Sequence, residues 1–222
     1  MTWKNLFTSS IGKKFLMGLT GFFLIIYLIV HASINALIFY DDDGATFNKA
    51  AYFMSRNFLM RFLEVGLFAV FILHIIQGLV LWSKNRAARN ISYSKNNYPP
   101  KIKWYSRYMG WLGTFLLLFL VMHLYHFWAG TKNEMYFKGP TTNLYLEMKD
   151  IFTNPLLFTL YMLGLVSLLF HLLQGFQSAF QTFGINHRRW TPIVKGIGVF
   201  YSVAICILFA MMPISFMAGW LQ

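Results

Sequence analysis

Five stretches of this 222-residue chain are each long and apolar enough to cross a bilayer as helix, and no other feature constrains the fold as tightly. A hydrocarbon core of roughly 30 Å takes about 20 helical residues, and the runs cover about 14–39, 58–82, 108–129, 155–181 and 195–219. Residues are 57% hydrophobic and only 12% charged, less than half the charged share of a soluble domain, which is about 25%. The fold expected is therefore an all-α membrane protein, one integral domain over residues 1–222, whose five crossings place the termini on opposite sides. The first run follows Lys13 and Lys14 as a signal peptide would, yet it continues from Phe15 to Tyr40 without a small-residue cleavage site. It reads as a retained helix.

The net charge of +12 would suit nucleic acid, but the placement of the charge suits a membrane better. One side of the five runs carries Lys4, Lys13, Lys14, Lys84, Arg86, Arg89, Lys95, Lys101, Lys103, Arg107, Arg188, Arg189 and Lys195. The other carries Lys49, Arg56, Arg61, Lys132, Lys138 and Lys149, together with all seven acids: Asp41, Asp42, Asp43, Glu64, Glu134, Glu147 and Asp150. Positive-inside bias puts the N-terminus in the cytoplasm, with the C-terminus opposite. The 83–107 connection is rich in asparagine and proline as well as basic residues, and is expected to be an ordered surface segment. Trp104, Tyr105, Tyr108 and Trp190 lie near this basic face, which suits either a soluble partner or the anionic leaflet.

The single cysteine, Cys206, can neither close a disulfide within the chain nor build a thiolate cluster. Any metal site must therefore draw on histidine. Six histidines occur, and five lie in apolar runs: His31, His74, His123, His126 and His171. A lone histidine in a membrane helix often only bonds to a neighbouring helix, but ionisable groups in hydrocarbon are costly, and one in each of the first four runs suggests a shared purpose. Each lies in the second half of its run. Because successive helices run in opposite directions, His31 and His123 fall at one level near the outer face, and His74 and His171 at a second level near the inner face.

Two imidazoles from facing helices with an iron porphyrin between them make bis-histidine haem b ligation. Zinc or copper would need three or four ligands at one level, and only two histidines are on offer at each. Two levels on the order of ten residues apart, at about 1.5 Å each, are close enough for electron transfer. His74-Ile75-Ile76-Gln77-Gly78 and His171-Leu172-Leu173-Gln174-Gly175 share the form His-x-x-Gln-Gly, and a glycine one turn from the ligand leaves room for a flat ring against the backbone. Gly18, Gly21, Gly110 and Gly113 also fall at the inner level, where close helix packing is the simpler explanation and ring clearance the alternative. His126 competes with His123, three residues away on a neighbouring part of the same helix, and level alone does not decide between them. His187, beside Arg188 and Arg189 in a basic segment, is expected to be solvated.

At these residues the chain resembles the cytochrome b subunit of succinate:quinone oxidoreductases, of the single-subunit, five-helix, dihaem kind that anchors succinate dehydrogenase or fumarate reductase. The likeness covers Leu28 to Asn35 around His31, Arg61 to Gly78, the His-Leu-Tyr of Phe119 to Tyr125, and Gly164 to Gly184 with its Phe-His-x-x-x-Gly and later Phe-Gly. The resemblance implies His31, His74, His123 and His171 as ligands of two haems b, with His31 and His123 on the outer iron and His74 and His171 on the inner one. It favours His123 over His126 because His-Leu-Tyr matches the family there. It further implies a flavoprotein subunit and an iron–sulfur subunit on the cytoplasmic face, membrane quinone (menaquinone or ubiquinone) as substrate, and a bacterial inner membrane as location. Dicarboxylate chemistry would belong to the flavoprotein subunit, since none of those catalytic motifs lies in this chain.

Glu64 is the one carboxylate well inside a predicted span, ten residues before His74 and so about 15 Å along the helix, at about the level of the outer haem. It is the candidate for quinone-linked proton transfer, with Ser33 and Asn35 as further polar candidates. The plainer reading is an ion pair with Arg61, one turn away. Arg56, Arg61, Lys84 and Arg107 are the cations available to haem propionates. Two other functions compete. One is the cytochrome b subunit of a hydrogenase, formate dehydrogenase or nitrate reductase. The other is a transporter or plain anchor whose histidines satisfy one another, against which stands the lack of a discontinuous helix pair or inverted repeat.

Overall fold

The computed structural model describes residues 9–88, 103–132, 143–185 and 187–221. Of the expected surface segment at 83–107, residues 89–102 with Arg89, Lys95 and Lys101 lie outside the described residues, as do Lys4, Glu134 and Lys138, while residues 83–87 and 104–107 at its ends are helical. Among the described residues all regular structure is helical: α1 (Ser10–Asn35), α2 (Ala45–Arg56), α3 (Phe58–Ala87), α4 (Trp104–Arg107), α5 (Met109–His123), α6 (Leu144–Thr153), α7 (Pro155–Thr182) and α8 (Trp190–Met217). A short 3₁₀ turn, Ala36–Phe39, extends α1, and a π turn, Leu124–Ala129, extends α5. Five helices are long and apolar enough to span a membrane: Ser10–Phe39, Phe58–Ala87, Met109–Lys132, Pro155–Thr182 and Trp190–Met217. They match the five expected runs, except that α3 carries on through Lys84 and Arg86 and α8 begins five residues earlier than expected.

Short polar side chains start these helices. Within lipid every backbone group must find its partner inside the chain, so the free N–H groups of each first turn call for a cap. Ser9 Oγ accepts from Gly12 N at 3.0 Å. Asn57 Oδ1 accepts from Leu59 N and Met60 N at 2.9 and 3.3 Å. Asn154 Oδ1 accepts from Leu156 N and Leu157 N at 3.0 and 3.2 Å, with Pro155 in the first helical turn, where its missing N–H has no partner to lose. Large apolar side chains stand exposed on the helices, among them Phe58 at 85%, Phe200 at 76% and Val65 at 71%. Acyl chains can cover such surface and water cannot, which agrees with the five spans.

α1, α3, α5 and α7 form a closed ring in which each helix packs on the next, and α8 lies outside it against α7 and α1. α1 and α5 are therefore diagonal partners across the bundle axis, and so are α3 and α7. α5 and α7 approach closely at Gly164, where a Cβ would collide with the Phe119 ring. The two surface helices α2 and α6 close the end of the bundle at which α1 finishes, which is the outer end in the orientation expected from charge. Asn48 Nδ2 donates to Asn143 Oδ1 at 2.8 Å and Asn48 Oδ1 accepts from Tyr145 N at 3.1 Å, tying the start of α6 to α2. Beneath them Ile38, Phe47, Tyr145, Met148, Phe152, Tyr161, Met212 and Phe216 form a buried cluster. Gly44, at φ 77°, sits where a Cβ would enter the Tyr145 ring, so it meets both a steric and a conformational demand.

Candidate functional site

The ring topology brings histidines from diagonal helices to the bundle axis. The His31 and His123 ring centres are 5.8 Å apart with planes at 89°, and those of His74 and His171 are 6.2 Å apart at 66°. An imidazole nitrogen binds a metal ion at roughly 2 Å and the ring centre lies about 1.1 Å behind it, so two imidazoles on opposite faces of one ion hold their centres about 6 Å apart. Both spacings suit an ion between the rings. Among the described residues, no group of three or more His, Cys, Asp or Glu converges on one point. Two protein ligands per level is the number needed by an iron whose other four ligands come from a porphyrin.

Each outer histidine is backed by an aromatic ring four residues earlier on its own helix. Tyr27 stacks on His31 (5.4 Å, 14°) and Phe119 on His123 (5.7 Å, 23°). Phe209 of α8 leans on His31 at 5.5 Å. His123 Nδ1 and His171 Nδ1 are buried without a hydrogen-bond partner. The other two are partnered, His74 Nδ1 by the Thr20 hydroxyl at 3.1 Å and His31 Nδ1 by the Asn35 side-chain nitrogen at 3.3 Å. No hydrogen bond joins imidazole to imidazole in either pair among the described residues.

His126 goes elsewhere. The π turn that follows His123 carries His126 toward α7, where its Nδ1 lies 3.1 Å from the Tyr161 hydroxyl and its ring stacks on Tyr161 at 6.0 Å and 21°. Single π turns inside α-helices are often found at functional positions, and this one separates the roles of two histidines that simple helical spacing leaves equivalent. His187 is exposed, and its Nδ1 accepts from Arg189 N at 3.2 Å.

The glycines divide. A Cβ on Gly21 would lie 3.4 Å from His74 Cε1, and one on Gly113 would lie 3.8 Å from His171 Cε1, so these two face the inner pair. Gly18 packs on Thr182 and Gly110 on Trp82. The glycines of the two His-x-x-Gln-Gly segments, Gly78 and Gly175, receive the methyl ends of Met17 and Met109. These contacts expose a repeat that the sequence reading missed: Met17-Gly18-x-x-Gly21 and Met109-Gly110-x-x-Gly113 recur at one offset of 92 residues, which also relates Tyr27 to Phe119 and His31 to His123. A search for fixed offsets between histidine-bearing runs would have found it.

Glu64 pairs with Lys132 and Trp128, not with Arg61. Lys132 Nζ donates to Glu64 Oε2 at 2.9 Å and Trp128 Nε1 to Oε1 at 2.5 Å, while Arg61 Nε donates to the Ser55 carbonyl at 3.4 Å. Both of these partners of Glu64 lie outward of His123, by five and nine residues, so Glu64 stands beyond the outer pair, toward the surface. Arg61, Glu64, Val65, Phe68, Trp128 and Lys132 line an open cleft of about 380 Å³, with Phe68 and Trp128 packed at 5.1 Å. Ser33 is not part of the cleft, since its hydroxyl donates back to the Ile29 carbonyl at 2.8 Å. Asn35 likewise bonds to His31, through both the ring and the carbonyl, the latter at 2.8 Å. In comparisons with protein-family models, curated proteins and solved structures, the chain matches none.

Proposed function

We propose that this chain is a dihaem cytochrome b membrane anchor that passes electrons between an iron–sulfur subunit and membrane quinone, in succinate oxidation or fumarate reduction. The observation that carries the reading is the pair of cross-bundle imidazole couples at two depths, with ring centres 5.8 and 6.2 Å apart. Haem b held at each level would supply a one-electron carrier, and two levels would give a path across the bundle. His31 and His123 would hold the outer iron, and His74 and His171 the inner one. The surrounding apolar helices keep water from the iron, and Gly21 and Gly113 leave space beside the inner histidines.

The cleft at Glu64 fits the quinone end of such a path. Phe68 and Trp128 offer aromatic surface to a flat ring, while Lys132 and Arg61 offer donors to its oxygens. Glu64, held by Lys132 and Trp128, is placed to exchange a proton with a bound quinol. The flavoprotein and iron–sulfur subunits would dock on the basic inner face, near Lys103, Trp104, Arg107 and Trp190. Positive-inside bias gives that face as cytoplasmic, in a bacterial inner membrane.

The test is purification of the tagged chain from native membranes. The reading expects co-purification with a covalently flavinylated polypeptide and a b-type spectrum that succinate reduces. A haem-bearing complex without flavin, reducible by hydrogen or formate, would move the chain to another respiratory oxidoreductase. A folded chain without haem would overturn the proposal.

A further inference from the structure

The two inner histidines are supported unequally. Thr20 of α1 is buried, and its hydroxyl donates to the Leu16 carbonyl at 2.8 Å, with the Met17 carbonyl 3.2 Å away. A threonine hydroxyl has one hydrogen. The shortest contact gives that hydrogen to the Leu16 carbonyl, which leaves the oxygen as acceptor toward its third neighbour, His74 Nδ1, at 3.1 Å. In that arrangement the His74 hydrogen is on Nδ1 and a lone pair is on Nε2. The next residue, Gly21, packs on the adjacent ring atom Cε1, so α1 grips the whole Nδ1–Cε1 edge of the ring.

The second half of the chain lacks this support. In the repeat, Leu112 stands where Thr20 stands in the first half. A leucine side chain accepts nothing, the Leu112 carbonyl is taken by Ser167 Oγ at 3.0 Å, and His171 Nδ1 is left buried without a partner. The outer pair has no such support from a neighbouring helix, since Asn35 is on the same helix as His31 and its Nδ2 donates to the His31 carbonyl at 2.8 Å.

We propose that Thr20 is a positioning residue for the inner haem: its oxygen accepts from His74 Nδ1–H and so fixes the tautomer that offers Nε2 to the iron. This rests on the haem reading above. An N–H···O bond on the far side of a ligating imidazole orients the ring and raises its basicity. A more basic ligand favours ferric over ferrous iron, so the hydroxyl lowers the midpoint potential of the inner haem.

The experiment is a redox titration of the full-length haem protein in wild-type, Thr20→Val and Thr20→Ser forms, the inner haem being the one missing from His171→Ala. Valine keeps the shape and removes the acceptor, whereas serine keeps the acceptor. Each tenfold change in the preference of the site for ferric over ferrous iron is about 59 mV for one electron, so Thr20→Val, if it relaxes that preference about tenfold, is expected to raise the inner potential by about 59 mV, with the outer haem unmoved and Thr20→Ser at the wild-type value. If Thr20→Val loses the inner haem outright, its retention in Thr20→Ser supports the role and its loss in both overturns it. An inner potential that stays put in Thr20→Val, or moves equally in both variants, also overturns it while leaving the haem reading intact. A wild-type chain without haem overturns both.

Discussion

His126 Nδ1 lies 3.1 Å from the Tyr161 hydroxyl of α7, and this bond turns the histidine away from the bundle axis that His123 reaches. The two residues are three apart in sequence and both pack on Tyr161 and Phe127, yet only His123 meets His31 and only His126 bonds to the Tyr161 hydroxyl. His126→Ala is therefore expected to keep both haems, and His123→Ala to lose the outer one only. Haem per polypeptide in the two purified variants checks this. Tyr161→Phe, which removes the hydroxyl and leaves the rings packed, should cost about 0.5–1.5 kcal/mol of stability, read as a small fall in Tm with haem content unchanged.

Glu64 joins Lys132 and Trp128 on α5 from its place on α3. Both members of the ion pair are partly exposed, 19% for Lys132 and 26% for Glu64, so the pair contributes at most about 1 kcal/mol to stability. Glu64→Gln should leave Tm and haem content near wild type. Loss of the proton-exchanging carboxylate should instead lower quinone-linked turnover on the order of 10²-fold and flatten its pH dependence. Steady-state assays of the assembled complex across pH would show this, and unchanged turnover and pH profile would remove Glu64 from the proposed chemistry.

Gly164 leaves no space for a Cβ against Phe119, and Phe119 stacks on His123 at 5.7 Å. Gly164→Ala must push the Phe119 ring, at a cost of about 1–3 kcal/mol by the usual scale of overpacking. The outer haem should be perturbed while the inner one stays, because the imidazole on which Phe119 stacks is that of His123. Low-temperature difference spectra that resolve the two haems test that selectivity.

Asp42, before α2, accepts from Thr46 N at 2.9 Å, and its hydrogen bonds to Thr46 hold its carboxyl below the usual carboxylate range. A carboxylate whose folded pKa is depressed stabilises the fold above the unfolded value, near 3.9, and loses that contribution as pH falls through the folded pKa. Protection of the first-turn amides of α2 against exchange, taken relative to the intrinsic rate at each pH, is therefore expected to fall below about pH 4, and Asp42→Asn should weaken this pH dependence.

The spans and the histidines were legible because each depends on a local signal: about 20 apolar residues in a row, and an ionisable side chain where hydrocarbon disfavours one. What was not legible depends on contacts between distant residues. Lys132, the partner of Glu64, is 68 residues away from it, and Arg61, one turn away, was the neighbour that sequence could offer. Helices α2 and α6 went unanticipated because Phe47, Tyr145 and Phe152 are buried by docking on each other and on the outer ends of α7 and α8, not by a long apolar run of their own. Thr20 carries no local signal of a role, because its hydroxyl meets His74 from a neighbouring helix.

The central claim is that His31 with His123, and His74 with His171, each hold one haem b. A reduced-minus-oxidised absorption spectrum with haem counted per polypeptide, in the wild type and in His31→Ala and His171→Ala, tests it most directly. The account predicts two low-spin b-type haems per chain, with one lost in each variant and the two variants losing different ones. A well-folded wild-type chain with no haem, or variants that both lose the same one, would contradict it.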